Sequence, residues 1–323
     1  MPPDDTASAE ILLSILVPTW NRENYLRRLL AVLLPVLREH SQLELVISNN
    51  SSTDGTAAYL ATLAGLERVR TYHQAVNLGA TVNVAWLYGQ ARGKYLWLVG
   101  DDDMVEPDLI GTVCEMVRQE PSLGWVHLPH RWSGGVSPHA SPCPSAVERR
   151  ATGREFFVPY LLGLTFVTAN VMNTKRVQAA LSRLAFETNY WPMVLTMTAT
   201  ADHPAAVLNV CKIEAGDDIT WGDVFHATLN FHMPLALMNC PVLSKTEKNA
   251  CLRQRYLEQP EFLDRLIWLN PGLLLRIFRQ APQLCNLAFV GRVTRKTLRR
   301  IFSPRKPTVK GQGVQPAGQA RDR

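Results

Sequence analysis

Three consecutive carboxylates, Asp101, Asp102 and Asp103, follow the apolar run Tyr95-Leu-Trp-Leu-Val99 and one glycine. Like charges held together repel one another, so such a cluster in a cleft calls for a cation. A hard divalent ion, Mn2+ or Mg2+, suits it, because these ions take oxygen ligands and share their shell with phosphates. A solvated acidic turn is the competing reading of a bare triplet, and the apolar strand directly before it weighs against that reading. Two further polar stretches, Pro18-Thr-Trp-Asn-Arg22 and Asn49-Asn-Ser-Ser-Thr-Asp-Gly-Thr56, also follow apolar runs. Each alone is ordinary turn and cap chemistry. Together they could line a polar crevice able to hold a base, a ribose and a diphosphate.

Bringing the three stretches together is the work of the elements between them. Residues 11–17 read as a buried strand stopped by Pro18, and 22–39 as a helix with Leu26, Leu29, Leu30 and Leu33 on one face. Pro35 is expected to kink or shorten that helix. A second strand over 43–48 leads into the Asn49 loop, a helix runs from Thr56 to about Leu66, and 69–73 is a third, short strand. Asn77-Leu-Gly79 makes a turn, 81–91 a helix and 95–99 the fourth strand; Pro107 opens another helix, and 124–128 is a further strand. This alternation predicts βα units around a mostly parallel sheet, in which ligands bind at the carboxyl edge. All three polar stretches end there. Residues 133–144, rich in Gly, Pro, Ser and His, read as a flexible loop over the site. Thr165 to Met172 is strand-like, 192–200 is helical, and from Trp221 onward the pattern is mainly helical.

With 323 residues, 46% of them hydrophobic, the chain can form one catalytic domain with an extension. No apolar run approaches the roughly 18 to 20 residues needed to span a bilayer, and Met1-Pro-Pro-Asp-Asp5 is acidic, so a cytoplasmic protein is expected. Six cysteines without a CxxC pair argue against zinc and disulfides, and eight scattered histidines argue against a zinc hydrolase. Pro-Thr-Trp-Asn stands where a dinucleotide-binding protein would have GxGxxG. Charge is divided unevenly: residues 1–264 hold 21 Lys and Arg against 27 Asp and Glu, whereas 265–323 hold 13 against one. Arg292, Arg295, Lys296, Arg299 and Arg300 share one helical face, which suits peripheral docking of 287–302 on an anionic membrane at roughly 1 kcal/mol per basic residue. With only Phe289 and Phe302 as aromatics there, no stacking platform is expected and nucleic acid is not an expected partner.

Four motifs then occur in order: Leu16-Val-Pro-Thr-Trp-Asn-Arg22, Ile47-Ser-Asn-Asn-Ser-Ser-Thr-Asp-Gly-Thr56, Asn77-Leu-Gly-Ala-Thr-Val-Asn83 and Gly93-Lys-Tyr-Leu-Trp-Leu-Val-Gly-Asp-Asp-Asp103. The series resembles family 2 glycosyltransferases of the GT-A fold, and within them the abequosyltransferase-like enzymes of bacterial surface glycans. The resemblance is strong over about 11–130 and weaker to about 240. It implies that Pro18, Thr19 and Asn21 border the nucleotide, and that Asn49 stands where the family usually has an Asp contacting base or ribose. Asn77, Gly79 and Asn83 would shape the donor pocket. Gly100 takes the place of the first acid of the commoner Asp-x-Asp-Asp pattern, which implies Asp101 near the ribose and Asp102 and Asp103 facing the metal. An amide at position 49 can donate as well as accept, so CDP or GDP sugars become admissible donors beside UDP sugars.

An inverting transferase also needs a general base near the acceptor hydroxyl. The family's Glu-Asp pair is missing from Phe186-Glu-Thr-Asn-Tyr-Trp-Pro192, which leaves Glu187 as the nearest carboxylate, with Asp202 and His203 as rivals. Asp217-Asp218 reads as a solvated turn, and Trp191 and Trp221 could line the acceptor site or belong to the core. The expected architecture is therefore α/β, a GT-A domain over 10–240 whose Rossmann-like, mostly parallel central sheet is flanked by helices. A helical basic extension follows over 241–302, and 1–9 and 303–323 are expected to be disordered. The expected function is metal-dependent, inverting transfer from a nucleotide diphospho-sugar to a hydroxyl of a glycan or lipid-linked oligosaccharide in bacterial surface polysaccharide synthesis. The alternative is a non-catalytic glycan- or membrane-binding protein that keeps the fold.

Overall fold

The computed structural model describes residues 10–132, 142–184, 191–216, 233–257 and 279. At its centre β1 (Leu13–Thr19) pairs in parallel with β2 (Leu43–Asn49) on one side and β4 (Tyr95–Leu98) on the other, and β3 (Val69–His73) lies beyond β2. Nearly every residue of β1, β2 and β4 is buried, which is why they read as unbroken apolar runs and not as alternation. Four more strands complete the sheet: β6 (Trp125–His127), β8 (Glu148–Arg150), β9 (Asn170–Asn173) and β10 (Ala205–Val207). The order is β3-β2-β1-β4-β9-β6-β10-β8. Six of the eight strands run one way; β9 and β8 run the other.

Successive residues of β1 serve opposite faces, as the strand period requires. Leu13, Ile15 and Val17 meet α1 (Glu23–Glu39) and α4 (Pro107–Gln119) through Leu26, Leu29, Leu30, Val113 and Val117. Leu16 belongs to the other core, with Leu96, Leu98 and Trp125 from the sheet. That core is closed by α3 (Gly79–Gly89), α5 (Arg154–Phe157), α6 (Thr174–Leu181), α7 (Trp191–Thr200) and α8 (Met233–Asn239). Cys251 and Leu252 of α9 (Lys245–Leu257) join it, so the chain just past residue 240 packs on the same fold. Among the described residues no helix is long and apolar enough to cross a membrane.

Several expectations about elements need correction. Pro35 does not shorten α1, which continues to Glu39 with Val36 and Leu37 buried just past the proline. A mid-helix proline costs about 3 kcal/mol, and each buried Leu or Val returns about 1.5–3 kcal/mol, so six buried residues outweigh it. The helix α2 (Thr56–Ala61) stops before Leu66, because Gly65 (φ +83°) and Arg68 (φ +59°) turn the chain into β3. Half of the strand-like stretch 165–172 belongs to two 3-10 turns, Gly163–Thr165 and Val167–Ala169, and the strand β9 begins only at Asn170. A second sheet, order β5-β11-β7, was not anticipated: β5 (Met104–Val105), β7 (His130–Trp132) and β11 (Ile213–Ala215) are each only two or three residues long. It ties the residue after Asp103 to the residues before Gly216.

Candidate active site

The parallel register sets Thr19 beside Asn49 and Asn49 beside His73, so β1, β2 and β3 end level at the carboxyl edge. Val99 extends β4 by donating to Leu16 O at 2.9 Å, and the chain then turns through Gly100 into the acids. Glycine is required at that turn, since a Cβ on residue 100 would lie 2.6 Å from Asp103 Oδ2. Thr168, arriving on the antiparallel β9 side, holds the turn with one hydroxyl. It accepts from Gly100 N–H at 2.9 Å and donates to Asp103 Oδ2 at 2.5 Å. The other oxygen of Asp103 accepts from Gly216 N–H at 2.9 Å. A side chain at 216 would place its Cβ 2.7 Å from Asp102 O, so the end of β11 can approach only as glycine.

Arg22 faces the other two acids. Its Nη1 lies 3.1 Å from Asp101 Oδ1 and 2.8 Å from Asp102 Oδ2, and Arg28 Nη2 donates to Asp102 O at 3.1 Å. Asp101 Oδ2 and Thr19 Oγ1 are buried without a well-formed hydrogen bond, although the Thr19 hydroxyl is near enough to pull the Asp101 carboxyl down against its burial. Burial pushes the Asp103 carboxyl up to about 7, with the charge of Asp102 adding to it. Burial likewise pushes Asp101 up to about 6 despite the opposing guanidinium of Arg22. One cation is thus too little for three carboxylates, and a divalent ion arriving here would release protons.

The donor set decides which acids fit such an ion. Both Asp103 oxygens accept protein hydrogen bonds, so Asp103 is the scaffold of the turn, and the metal contact that the resemblance implies for it would fall on an oxygen already bonded within the protein. Asp101, whose Oδ2 lacks a well-formed hydrogen bond, and Asp102, whose side chain keeps 20% of its exposure, fit as oxygen donors. Among the described residues no three His, Cys, Asp or Glu side chains form a cage. That fits an ion held by one or two carboxylates and completed by substrate phosphates and water, as Mg2+ commonly is.

Hydrogen bonds lace the remaining motifs together. Asn21, in the left-handed region at φ +54°, accepts from Thr53 N–H at 2.7 Å and donates its own N–H to Ser52 Oγ at 2.8 Å. Asn50 donates to Asn77 Oδ1 at 2.9 Å and accepts from Leu78 N–H at 2.9 Å, and Gly79, at φ +75°, donates to Asn77 Oδ1 at 2.8 Å. Asn49 is buried; its Oδ1 accepts from Ser52 N–H at 3.0 Å, which turns Nδ2 toward His73 Nδ1, 3.2 Å away. An amide nitrogen only donates, so His73 Nδ1 accepts and the ring proton sits on Nε2. His73 escaped the sequence reading; its place at the end of the third strand was the available signal. Asn83 is buried and accepts from Ser48 Oγ at 2.6 Å, which ties α3 to the end of β2. Pro18 sits within β1 opposite Ser48, and Trp20 beside it is 49% exposed.

Asp202 and His203 are ruled out as the base. They precede β10, which runs parallel to β6, and so lie at the amino edge of the sheet, away from the acids. There Asp202 pairs with Arg154 Nε at 2.8 Å and His203 contacts Arg176. Glu187, Asp217, Asp218, Trp221, Cys285, the loop 133–141 and the basic stretch 287–302 fall outside the described residues, as does the side chain of Trp191. The other five cysteines are free thiols.

Comparison with known proteins bears on the fold and the family. Residues 14–152 match the family model for glycosyl transferase family 2. A stretch of 100 residues is 32% identical to abequosyltransferase RfbV of Salmonella typhimurium strain LT2, covering 30% of this chain and 30% of the relative. Another of 110 residues is 27% identical to glycosyltransferase GlyG of Streptococcus pneumoniae serotype 4, covering 34% and 36%. The chain thus spans about a third of the length of these curated relatives. In three dimensions it resembles S. aureus TarS 1–349 in complex with UDP-GlcNAc, with TM-score 0.60 over 84% of each chain at 15% identity. It also resembles the mannosyltransferase PcManGT of Pyrobaculum calidifontis in complex with GDP-Man and Mn2+, with TM-score 0.56 over 91% and 82% at 11% identity. The segment that matches the family 2 glycosyltransferase model holds all four motifs, the acidic triplet and the strands that position them, and the fold is the GT-A fold of these solved structures.

Proposed function

We propose that this chain transfers a sugar from a nucleotide diphospho-sugar to a hydroxyl of a glycan or lipid-linked oligosaccharide of a bacterial surface polysaccharide, with a divalent cation at Asp101 and Asp102. The observation that carries the reading is the under-compensated acid pair, with a buried Asp101 Oδ2 that lacks a well-formed hydrogen bond, at the edge where the three polar loops converge. A bound Mn2+ or Mg2+ would supply neutralisation of the charge that develops on the departing diphosphate. The chain's own residues fix that place: Thr168 and Gly216 hold the acidic turn, and the Asn50–Asn77 link joins the two loops flanking the donor. Relatives named as an abequosyltransferase and as proteins complexed with UDP-GlcNAc or GDP-Man with Mn2+ support a nucleotide-sugar donor. Inversion requires a base for the acceptor proton, a role we assign to Glu187; normal turnover by a Glu187→Gln variant would remove it.

The nucleobase reading follows from Asn49. One amide hydrogen faces His73 and Oδ1 is held by Ser52, so the amide keeps a second N–H with which to donate to a base. The expected calorimetric result with UDP, CDP and GDP, each with and without Mn2+, is Mn2+-dependent binding in which CDP or GDP exceeds UDP. In Asn49→Asp the preference should move toward UDP. Strict UDP preference in the unaltered chain would defeat the base assignment. A complete lack of metal-dependent nucleotide binding would instead favour the non-catalytic alternative.

A further inference from the structure

We infer that Arg22 is a built-in counter-ion which competes with the divalent cation for the oxygens of Asp101 and Asp102, so that metal and nucleoside diphosphate bind cooperatively, each easing the release of Arg22 for the other. The inference rests on the metal reading given above. Its geometric basis is that one nitrogen, Nη1, bridges both carboxylates, at 3.1 Å to Asp101 Oδ1 and 2.8 Å to Asp102 Oδ2. Those are two of the four oxygens that the fitting acids possess. A third, Asp101 Oδ2, stays buried without a well-formed hydrogen bond, so the guanidinium compensates the pair only in part.

Within α1 the ring of Tyr25 faces this cation, with the guanidinium carbon 5.8 Å from the ring centre, a weaker hold than the two carboxylates. Arg22 is the N-cap of α1, and its side chain caps no backbone N–H. A positive charge at a helix N-terminus opposes the helix dipole, a cost of a few tenths of a kcal/mol or more. The acids hold its charged end by direct ion pairs. Its backbone is fixed on both sides, by Asn21, pinned to Ser52 and Thr53, and by Glu23, whose N–H donates to Asp54 Oδ2 at 3.1 Å. The long side chain can therefore leave the acids without moving the main chain. Arg28, bonded to Asp102 O, and Thr168, bonded to Asp103, keep the acidic turn in place when it does. A guanidinium released beside a diphosphate has a ready partner, since its planar fork matches phosphate oxygens.

The test is Mn2+ binding followed by the electron paramagnetic resonance of free Mn2+, with the full chain, alone and with saturating UDP, CDP or GDP in separate titrations. In the unaltered chain, Mn2+ affinity is expected to rise about tenfold or more on adding the nucleotide that binds. Arg22→Gln should bind Mn2+ about tenfold tighter than the unaltered chain without nucleotide, and should lose most of the rise on adding it. Arg22→Lys keeps a charge on a shorter side chain, whose ammonium stops short of the place of Nη1 between the two carboxylates, so its nucleotide-free affinity should fall between; thermal melting of both variants checks that each is folded. If Arg22→Gln is too unstable to titrate, Arg22→Lys decides alone: nucleotide-free Mn2+ affinity no tighter than that of the unaltered chain overturns the inference. A folded Arg22→Gln that binds Mn2+ no tighter does the same while leaving the metal reading intact. Mn2+ binding to none of the proteins, with any nucleotide, overturns both.

Discussion

Replacing Asp102 with Ala is expected to lower kcat for sugar transfer about 10³-fold, while the melting temperature stays within a few degrees of the parent. The size follows from the several kcal/mol that metal-borne charge stabilisation contributes, at 1.36 kcal/mol per factor of ten. Asp102 is the acid whose loss the fold can absorb. Its side chain is part exposed, its carboxylate is paired with Arg22, and its charge works against its neighbours by raising the carboxyls of both Asp101 and Asp103. Removing it therefore relieves repulsion in the turn as it removes an oxygen donor. Turnover measured with saturating Mn2+, alongside thermal unfolding, checks both halves. A variant that keeps more than a tenth of the parental kcat would show that Asp102 is not needed for the chemistry.

Asp102 and its strand were legible in the sequence because parallel strands buried on both faces spell continuous apolar runs, and the loops between them are dense in turn residues. The same logic placed the Pro18–Arg22 and Asn49–Thr56 loops on one edge, where the register of Thr19, Asn49 and His73 puts them. What holds the acids was not legible. Thr168 and Gly216 reach Asp103 across 65 and 113 residues of chain, on elements of two to four residues that are too short to display a period. Motif matching located Asn83 and Asp103 without showing which partner each side chain meets. Asn83 accepts from Ser48 Oγ, and both oxygens of Asp103 accept hydrogen bonds from within the protein. Matching also gave Arg22 as part of a motif without showing that it rests on the acids.

Thr168 carries the largest stability prediction. Its hydroxyl is fully buried and does two jobs, accepting from Gly100 N–H and donating to Asp103 Oδ2. Thr168→Val keeps the shape but leaves two buried polar groups without a partner, each costing about 1–3 kcal/mol. A loss of about 2–5 kcal/mol is expected, a large part of the roughly 5–15 kcal/mol that stabilises a typical domain. Thr168→Ser, which keeps the hydroxyl, should lose far less. The loss should also depend on pH when measured with chelator present. Asp103 has its carboxyl pushed up to about 7 in the fold, against about 3.9 in an unfolded chain, so the unfolded chain gives up its proton first and stability falls as pH rises through that interval. The Thr168 hydroxyl bonds the charged form and holds Asp103 lower than burial alone would. Below about pH 5 the carboxyl is protonated in the fold with or without that bond, and the gap between Val and parent is smallest; near pH 8 the parent keeps a bonded carboxylate that the Val variant lacks, and the gap is widest. Urea unfolding at pH 5 and pH 8 reads the difference directly. Equal losses for Val and Ser, or a gap that does not widen with pH, would mean that Thr168 holds the acidic turn by packing and not through its hydroxyl.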